Sequence, residues 1–368
     1  MSFSRNTYLE IDLEKIKNNI KTVINNYPSY KYYFGVVKAN CYGLDNESLA
    51  VTRAIIDAGC NYLAVATLEE AIAIRKEFKS IPILVLGHIN KEHIKEAIEY
   101  NITITIHSED SLEEILVQNL HGLKAHIKIN TGMNRLGINK NLKGLYDKCI
   151  NNNIDVEGIF THIYNASNET DYNKQIEFFE NLLEEIDISK VPIIHISASE
   201  ALTNYKKPEE ANGCRLGIIM YGFSEKIELE SPVKLISEVV QIHNLKKGEV
   251  VGYNGIFKAE EDTKIGVIPV GYADGIIRKN TGRYVYINNK KYKIVGNICM
   301  DMLFVEIDEN VHLYDKVEVL KDNKHIKETA NHLETIPYEI LCQIGGRVPR
   351  IYAIENITRS GDHIVAAK

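Results

Sequence analysis

The strongest constraint on the fold is an alternation of short apolar segments with amphipathic ones along the first two thirds of the chain. Eight segments are rich in β-branched, aromatic or other apolar residues: "YYFGVV", "NYLAVA", "IPILVL", "ITITI", "KAHIKI", "VEGIF", "VPIIHI" and "CRLGIIM". Stretches with helical spacing separate most of them, and three of these follow candidate capping residues at Asn46, Thr67 and Asp171. Strand and helix repeated eight times predict a (β/α)8 barrel of the TIM type.

The pattern changes after about residue 230, where hairpins replace helices. "RYVYI-NN-KKYKIVG" predicts a turn at Asn288 and Asn289, and "DKVEVL-KDN-KHIKE" predicts another at Asp322 and Asn323. The charged segment "SEKIELESPVK" is the expected boundary. We therefore predict a barrel domain over residues 1–229 and a mostly β domain over 230–368.

Charge and cysteine content restrict the class of partner. The chain has 43 basic and 50 acidic residues and a net charge of -7, without a basic stripe, so neither nucleic acid nor an anionic membrane is expected to bind. Its six cysteines are dispersed and form no C-x-x-C pair, which predicts reduced thiols with no disulfide and no metal site. The sequence has no signal-peptide pattern and no apolar run of about 20 residues, so we expect a cytoplasmic protein that binds a small molecule.

Polar residues cluster where the predicted barrel strands end, which is where barrel enzymes place their chemistry. They are Lys38, Tyr42, Lys128, Asn130, Arg135, His162, Ser197, Ser199 and Arg215, and Gly217 lies shortly beyond Arg215. Each alone has a structural explanation: a lysine can extend to solvent, and a serine can cap a helix. Together they would line one pocket, in which a desolvated lysine is a nucleophile and hydroxyls and backbone amides bind phosphate. That combination suggests pyridoxal 5'-phosphate.

Several motifs carry a closer likeness: "VVKANCYG", "KINTGMNRLG", "FTHIYNAS", "HISASEA" and "CRLGIIMYG" resemble those of the pyridoxal-phosphate-dependent alanine racemases. The resemblance covers essentially the whole chain. It implies that Lys38 binds the cofactor covalently and that Tyr42 reaches the phosphate. It also implies that Arg135 holds the phenolic oxygen and the substrate carboxylate, and that a carbamylated Lys128 fixes Arg135.

The same resemblance assigns the remaining cofactor contacts. His162 lies in the cofactor pocket, Ser199 and the backbone amides of Gly217 and Ile218 bind the phosphate, and Arg215 faces the pyridine nitrogen. An arginine remains charged at ordinary pH and donates to the ring nitrogen without protonating it. The ring then withdraws electrons weakly, which restrains side reactions such as transamination.

In the second half, "VVGYNGIF" resembles the family segment that carries the second catalytic base, here Tyr253. "PVGYADGIIR" and "GNICMDM" resemble motifs around the substrate entrance and bring the residues Tyr272, Arg278, Met300 and Asp301. Racemisation needs a base on each face of the α-carbon. The resemblance implies that Lys38 handles the α-proton of the D-amino acid and Tyr253 that of the L-amino acid. It also implies a head-to-tail homodimer, in which the β domain of one chain completes the barrel site of the other.

The sequence departs from the family pattern at Gly346, where the family commonly has a tyrosine before R-V-P-R. The missing ring predicts space beside the substrate β-carbon, so serine or a larger amino acid is an alternative substrate. Three rival functions stay open: a pyridoxal-phosphate decarboxylase, a non-enzymatic cofactor carrier and a barrel enzyme that acts on sugar phosphates. The preferred prediction is an alanine racemase that supplies D-alanine for peptidoglycan.

Overall fold

The computed structural model describes residues 4–118 and 120–353. The helices and strands of the first two thirds follow in chain order: β1 (Tyr8–Asp12), α1 (Leu13–Asn26), β2 (Tyr32–Val36), α2 (Lys38–Gly43), α3 (Ala50–Asp57), β3 (Tyr62–Val65), α4 (Leu68–Glu77), β4 (Ile83–Val85), α5 (Ile94–Glu99), β5 (Ile104–Ile106), α6 (Glu109–Leu116), β6 (Lys124–Lys128), α7 (Leu142–Asn151), β7 (Asp155–Phe160), α8 (Glu169–Leu183), β8 (Ile193–Ala198), α9 (Ser199–Asn204) and β9 (Gly213–Leu216).

The remaining elements are mostly strands: β10 (Val233–Glu238), β11 (Gln241–Leu245), β12 (Val250–Val251), β13 (Phe257–Lys258), β14 (Thr263–Ile268), β15 (Tyr284–Ile287), β16 (Lys290–Val295), β17 (Leu303–Ile307), β18 (Lys316–Leu320), α10 (Asn323–His332), α11 (Pro337–Cys342) and β19 (Arg350–Ala353).

The chain divides into two compact units. The barrel unit comprises Lys17–Cys41 and Thr52–Leu229, and the β unit comprises the chain up to Ile16, Tyr42–Val51 and the chain from Glu230 onward. Residues up to Ile16, which the sequence-based division placed with the barrel, belong to the β unit because β1 pairs with β10 and β19.

The barrel unit contains an eight-stranded parallel sheet in the order β4-β3-β2-β9-β8-β7-β6-β5. A parallel bridge between Leu84 and Thr103 joins its two ends, where the Val85 N–H also donates to the Thr103 carbonyl at 2.9 Å. The predicted (β/α)8 architecture is therefore confirmed, and all eight predicted segments contain a barrel strand.

Aromatic rings fill the interior of the barrel. The His195 ring stacks between Phe34 and Phe160, with centroid distances of 4.5 and 4.6 Å, and Phe34 also stacks on Tyr62 at 4.4 Å. Because inward side chains of barrel strands meet in layers, these rings form a packed floor beneath the strand ends.

The β unit is built on a nine-stranded sheet in the order β11-β14-β17-β16-β15-β18-β10-β1-β19, with β12 and β13 as a separate pair. The predicted hairpin at Asn288 and Asn289 is confirmed, since both residues have positive φ (49° and 64°) as a tight two-residue turn requires. The second predicted hairpin is wrong. Strand β18 leads into helix α10, because the Asp322 side chain accepts the His325 N–H at 2.8 Å and caps the helix.

The predicted helix starts are confirmed only in part. Thr67 forms the expected cap of α4, with Glu70 completing a capping box. Asn168, rather than Asp171, caps α8. Asn46 accepts the Ser48 N–H at 2.9 Å in a turn that precedes α3. Among the described residues, no helix is both long and apolar enough to span a membrane.

Candidate active site

Lys38 lies at the start of a left-handed helical turn directly after β2. Within α2, φ is 51° at Ala39, 50° at Asn40, 52° at Cys41 and 61° at Tyr42. Left-handed helix costs roughly 1–2 kcal/mol per non-glycine residue, so the surrounding structure must stabilise this turn. One such contact comes from Glu70, whose carboxylate accepts the Ala39 N–H at 2.6 Å.

The second oxygen of Glu70 accepts the Ala66 N–H at 2.8 Å as well as the Thr67 N–H at 3.2 Å, and the Thr67 bond belongs to the capping box of α4. The backbone that follows Lys38 is thus tied to the beginning of a helix.

Arg215, on β9, is the centre of a buried hydrogen-bond network. Its Nη1 donates to His195 Nδ1 at 2.7 Å, and its Nη2 donates to the carbonyl oxygens of Thr161 and Ile196 at 2.7 Å each. A longer contact of 3.3 Å joins Nη2 to His162 Nδ1. These bonds hold the guanidinium rigidly and, among the described residues, leave its Nε–H for another acceptor.

The histidines around Arg215 are neutral, and their tautomers follow from geometry. Burial, reinforced by the Arg215 charge, lowers the pKa of His162 to about 2 and that of His126 to about 3. Because an arginine only donates, His195 Nδ1 is an acceptor and its proton lies on Nε2. That N–H then donates to His126 Nδ1 at 2.9 Å, which leaves the His126 proton on Nε2.

Lys128, at the end of β6, is a buried amine among positive charges. Its Nζ lies 4.5 Å from the centroid of the Phe160 ring. Burial disfavours its charged form and the charges of Arg215 and Arg135 repel it, so the Lys128 pKa lies well below its ordinary value. Within residues 4–118 and 120–353, neither Lys128 nor Arg215 pairs with a carboxylate. This pocket is therefore suited to an anion.

A second group of predicted residues gathers at the start of α9 and the end of β9. The Gly217 N–H donates to the Ser199 hydroxyl at 3.1 Å, and the Ile219 N–H approaches the same oxygen at 3.5 Å. Ser199 and Ile218 are both buried. Backbone N–H groups that converge on one oxygen atom have the arrangement that a phosphate oxygen needs.

The β unit carries the other predicted residues. Tyr253 stands on a tight turn between Gly252 and Asn254, which have φ of 72° and 63°, and 70% of its surface is exposed. The Asn297 side chain joins it to Arg278: Nδ2 donates to the Tyr253 carbonyl at 2.8 Å, and Oδ1 accepts from Arg278 Nη2 at 2.6 Å.

The two entrance motifs meet within the β unit. The Tyr272 N–H donates to the Cys299 carbonyl at 3.1 Å, and the Ala273 N–H donates to the Met300 carbonyl at 3.0 Å. Asp301 forms an ion pair with Arg347, which also binds the buried Asp274.

The structure brings most of the predicted residues into local groups. Lys38, Lys128, Arg135 and Arg215 all contribute positive charge at His162 and lower its pKa. Tyr42 is assigned to the β unit, where its ring lies 5.8 Å from that of Tyr338.

Sequence reasoning missed His126, His195, Asp274 and Asn297 as parts of these networks. A signal was available for the two histidines. His126 and Lys128 occupy alternate positions of β6, as His195 and Ser197 do of β8, so each pair lies on one face of its strand.

Fold and site together define a barrel protein whose strand ends carry a lysine, a buried arginine and a buried serine, an arrangement suited to a small anionic ligand. Comparison with known proteins specifies the family. Residues 11–225 match the family model of the alanine racemase N-terminal domain, and residues 233–352 match that of the C-terminal domain. The chain belongs to the alanine racemase family and is an isomerase.

Individual relatives agree over nearly the full length. The alanine racemase of Staphylococcus saprophyticus is 36% identical over 95% of this chain and 95% of its own, and alanine racemase 1 of Bacillus subtilis is 36% identical over 96% and 94%. The crystal structure of the Bacillus anthracis alanine racemase with bound L-Ala-P is similar with a TM-score of 0.90, 30% identity and 98% coverage of both chains. The alanine racemase of E. faecalis also gives a TM-score of 0.90, at 30% identity, covering 96% of this chain and 100% of that one.

Proposed function

We propose that this chain interconverts L- and D-alanine with pyridoxal 5'-phosphate held covalently by Lys38. The observation that carries the proposal is the buried Arg215 guanidinium, which has no carboxylate partner among the described residues and lies with the Lys128 amine beside His162, at the strand ends near Lys38. Buried positive charge without a carboxylate partner is unfavourable, and an anionic cofactor would relieve it.

The residues present fit this cofactor. Ser199 and the backbone N–H groups of Gly217 and Ile218 form the proposed phosphate site. Its support is that the neighbouring N–H groups of Gly217 and Ile219 already converge on the Ser199 hydroxyl oxygen. The Arg215 Nε–H is the proposed donor to the pyridine nitrogen, and Tyr42 and Arg135 are assigned the phosphate and the phenolic oxygen. When bound, pyridoxal phosphate makes the α-proton of an attached amino acid acidic.

Lys38 and Tyr253 are the proposed bases on the two faces of the α-carbon. Lys38 takes or returns the proton of the D-amino acid, and Tyr253 that of the L-amino acid. His162 would support the tyrosine: with Nδ1 facing Arg215, its proton lies on Nε2 and is available to a phenolate oxygen. Arg135, Met300 and Asp301 are the proposed substrate-binding residues, and Tyr272 and Arg278 line the entrance.

Lys128 is the proposed site of carbamylation. Carbon dioxide reacts with the neutral amine, and the depressed Lys128 pKa increases the neutral fraction. The carbamate would replace a repelled cation by an anion next to Arg135, which then presents its guanidinium to the substrate carboxylate.

We also propose a head-to-tail homodimer in which the barrel unit of one chain is completed by the β unit of the other. The exposure of Tyr253 (70%), Met300 (52%) and Tyr272 (41%) on the β unit supports this, because exposed apolar and aromatic clusters mark interfaces. Mixing refolded Lys38→Ala chains with Tyr253→Phe chains tests it. Each mixed dimer has one intact site, so activity should return from two inactive parents; mixtures that stay inactive, although mixed dimers form, would count against shared sites.

The absence of a side chain at Gly346 favours a substrate range that extends beyond alanine. A Cβ placed there would meet no described heavy atom within 4 Å, so this position has open space. Serine racemisation is the second candidate activity. We assign the alanine reaction to the cytoplasm, where it would supply D-alanine for peptidoglycan.

The cofactor assignment has a direct test. Borohydride reduction of the protein with bound pyridoxal phosphate should fix the cofactor on Lys38, which peptide mass spectrometry will locate. A label on another lysine, or none, would overturn the assignment. Incubation with L-alanine or L-serine in D₂O, followed by chiral analysis, then ranks the two substrates.

A further inference from the structure

Asn297 holds two predicted site residues at once. Its Nδ2 lies 2.8 Å from the Tyr253 carbonyl oxygen and its Oδ1 lies 2.6 Å from Arg278 Nη2. The orientation of this amide is fixed by chemistry. Arginine only donates and a carbonyl only accepts. If the amide oxygen and nitrogen were exchanged, the amide N–H would face the Arg278 donor and the amide oxygen would face the Tyr253 carbonyl oxygen.

The Tyr253 turn needs such support. Gly252, Asn254 and Gly255 all have positive φ (72°, 63° and 53°), and the Tyr253 side chain is 70% exposed in the single chain. The turn also lies against the backbone of Asn297, since a Cβ on Gly252 would approach the Asn297 carbonyl oxygen to 3.4 Å. Asn297 itself is buried, at 9% exposure, so its side chain has little freedom to move.

We infer that Asn297 is a positioning residue that couples the entrance residue Arg278 to the Tyr253 backbone and so sets where the phenol oxygen stands. The inference rests on the proposed role of Tyr253 as the base for the L-amino acid. A displacement of about 1 Å at a catalytic group reduces its rate as much as 100-fold. Loss of the Asn297 amide should therefore slow proton transfer by Tyr253 while leaving transfer by Lys38 unchanged.

A partition experiment separates the two transfers. In D₂O with D-alanine, Lys38 removes the α-proton, and two products follow. Return through Lys38 gives deuterated D-alanine, whereas delivery through Tyr253 gives L-alanine. The early ratio of deuterated D-alanine to L-alanine compares deuteron delivery through Lys38 with deuteron delivery through Tyr253.

Two variants and one control are compared as enzymes loaded with pyridoxal phosphate. Asn297→Ala removes both bonds. Asn297→Asp, nearly identical in shape, keeps the acceptor for Arg278 but loses the N–H donated to the Tyr253 carbonyl. Asn310→Ala changes an exposed asparagine of the same unit and is the matched control.

Both Asn297 variants should raise the ratio from D-alanine roughly tenfold, within the range expected for a displaced base. With L-alanine as substrate, the ratio of deuterated L-alanine to D-alanine should fall. Asn310→Ala should match the wild type in both ratios. Unchanged ratios with lower total activity would reduce Asn297 to a structural role and overturn the inference. An Asn297→Asp protein that behaves as wild type would also overturn it. The bond to the Tyr253 carbonyl would then be unnecessary, and the role of Asn297 would be limited to binding Arg278. If the wild type neither exchanges nor racemises alanine, the proposed function fails, and the inference fails with it.

Discussion

Replacing Asp274 by asparagine should destabilise the β unit strongly, because this carboxylate is buried between two arginines. Arg5 donates to both of its oxygens at 2.8 and 2.9 Å, and Arg347 does so at 2.7 and 3.2 Å. The Gly271 N–H adds a bond at 2.9 Å. The Asp274 side chain is fully buried. Burial alone would raise the Asp274 pKa, but the hydrogen bonds from Arg347, Arg5 and Gly271 hold it below its ordinary value.

An asparagine keeps the shape, but it removes the negative charge and turns an amide N–H toward an arginine donor. Breaking a buried ion pair on one side costs about 3–5 kcal/mol. For a unit of this size, such a loss lowers the melting temperature by roughly 10 °C. Part of each arginine is exposed, with side-chain exposures of 26% for Arg5 and 43% for Arg347, so we expect the lower end of the range.

The assay is differential scanning calorimetry of Asp274→Asn beside Asp301→Asn. Asp301 is the matched control because it pairs with the same arginine at 2.5 Å, yet its side chain is 56% exposed. An exposed pair contributes at most about 1 kcal/mol, so the control should lie within roughly 3 °C of the wild type. Equal melting temperatures for the two variants would refute the argument that burial makes Asp274 important.

Three further predictions concern substrate range, the pocket lysine and pH. Gly346→Tyr should fold normally, because a Cβ there meets open space, and should lower the serine-to-alanine activity ratio; an unchanged ratio would separate Gly346 from specificity. Lys128→Met should raise the KM for alanine about tenfold or more through a less ordered Arg135, and intact-protein mass spectra should lose any mass increment from bound carbon dioxide; a wild-type KM would contradict this role. Burial lowers the His325 pKa to about 4 from an unfolded value near 6.5, so the unfolded state binds the proton first and stability falls as the pH drops from about 6.5 toward 4. The loss from this group is about 3 kcal/mol, and a His325→Gln variant whose unfolding free energy keeps the full wild-type slope across this window would show that His325 is not responsible.

The sequence determined the barrel because its signal is local and repeated. Each strand segment is short, apolar and followed by helical spacing, and that pattern does not depend on distant residues. Prediction from the local sequence failed where two local signals compete. The segment "KDN" is compatible with both a hairpin turn and the start of a helix. The structure has the helix, which the Asp322 side chain stabilises by capping it. Likewise, residues near the amino terminus gave no sign that β1 would pair with β10 and β19, since strand partners far apart in sequence have no local signature.

The active-site residues were predicted from strand-end positions and from motifs, which show what side chains are present but not what contacts hold them. The left-handed turn after Lys38, the neutral histidines around Arg215 and the Asn297 bond to Tyr253 arise only when segments distant in sequence meet. The burial, tautomer and pKa of a group are set by these tertiary contacts, because each depends on the charges and the amount of water around the group. The sequence by itself therefore determined the barrel and the chemical inventory of its strand ends. The tertiary structure decided which of those groups are charged, which donate, and which neighbouring residues hold them in position.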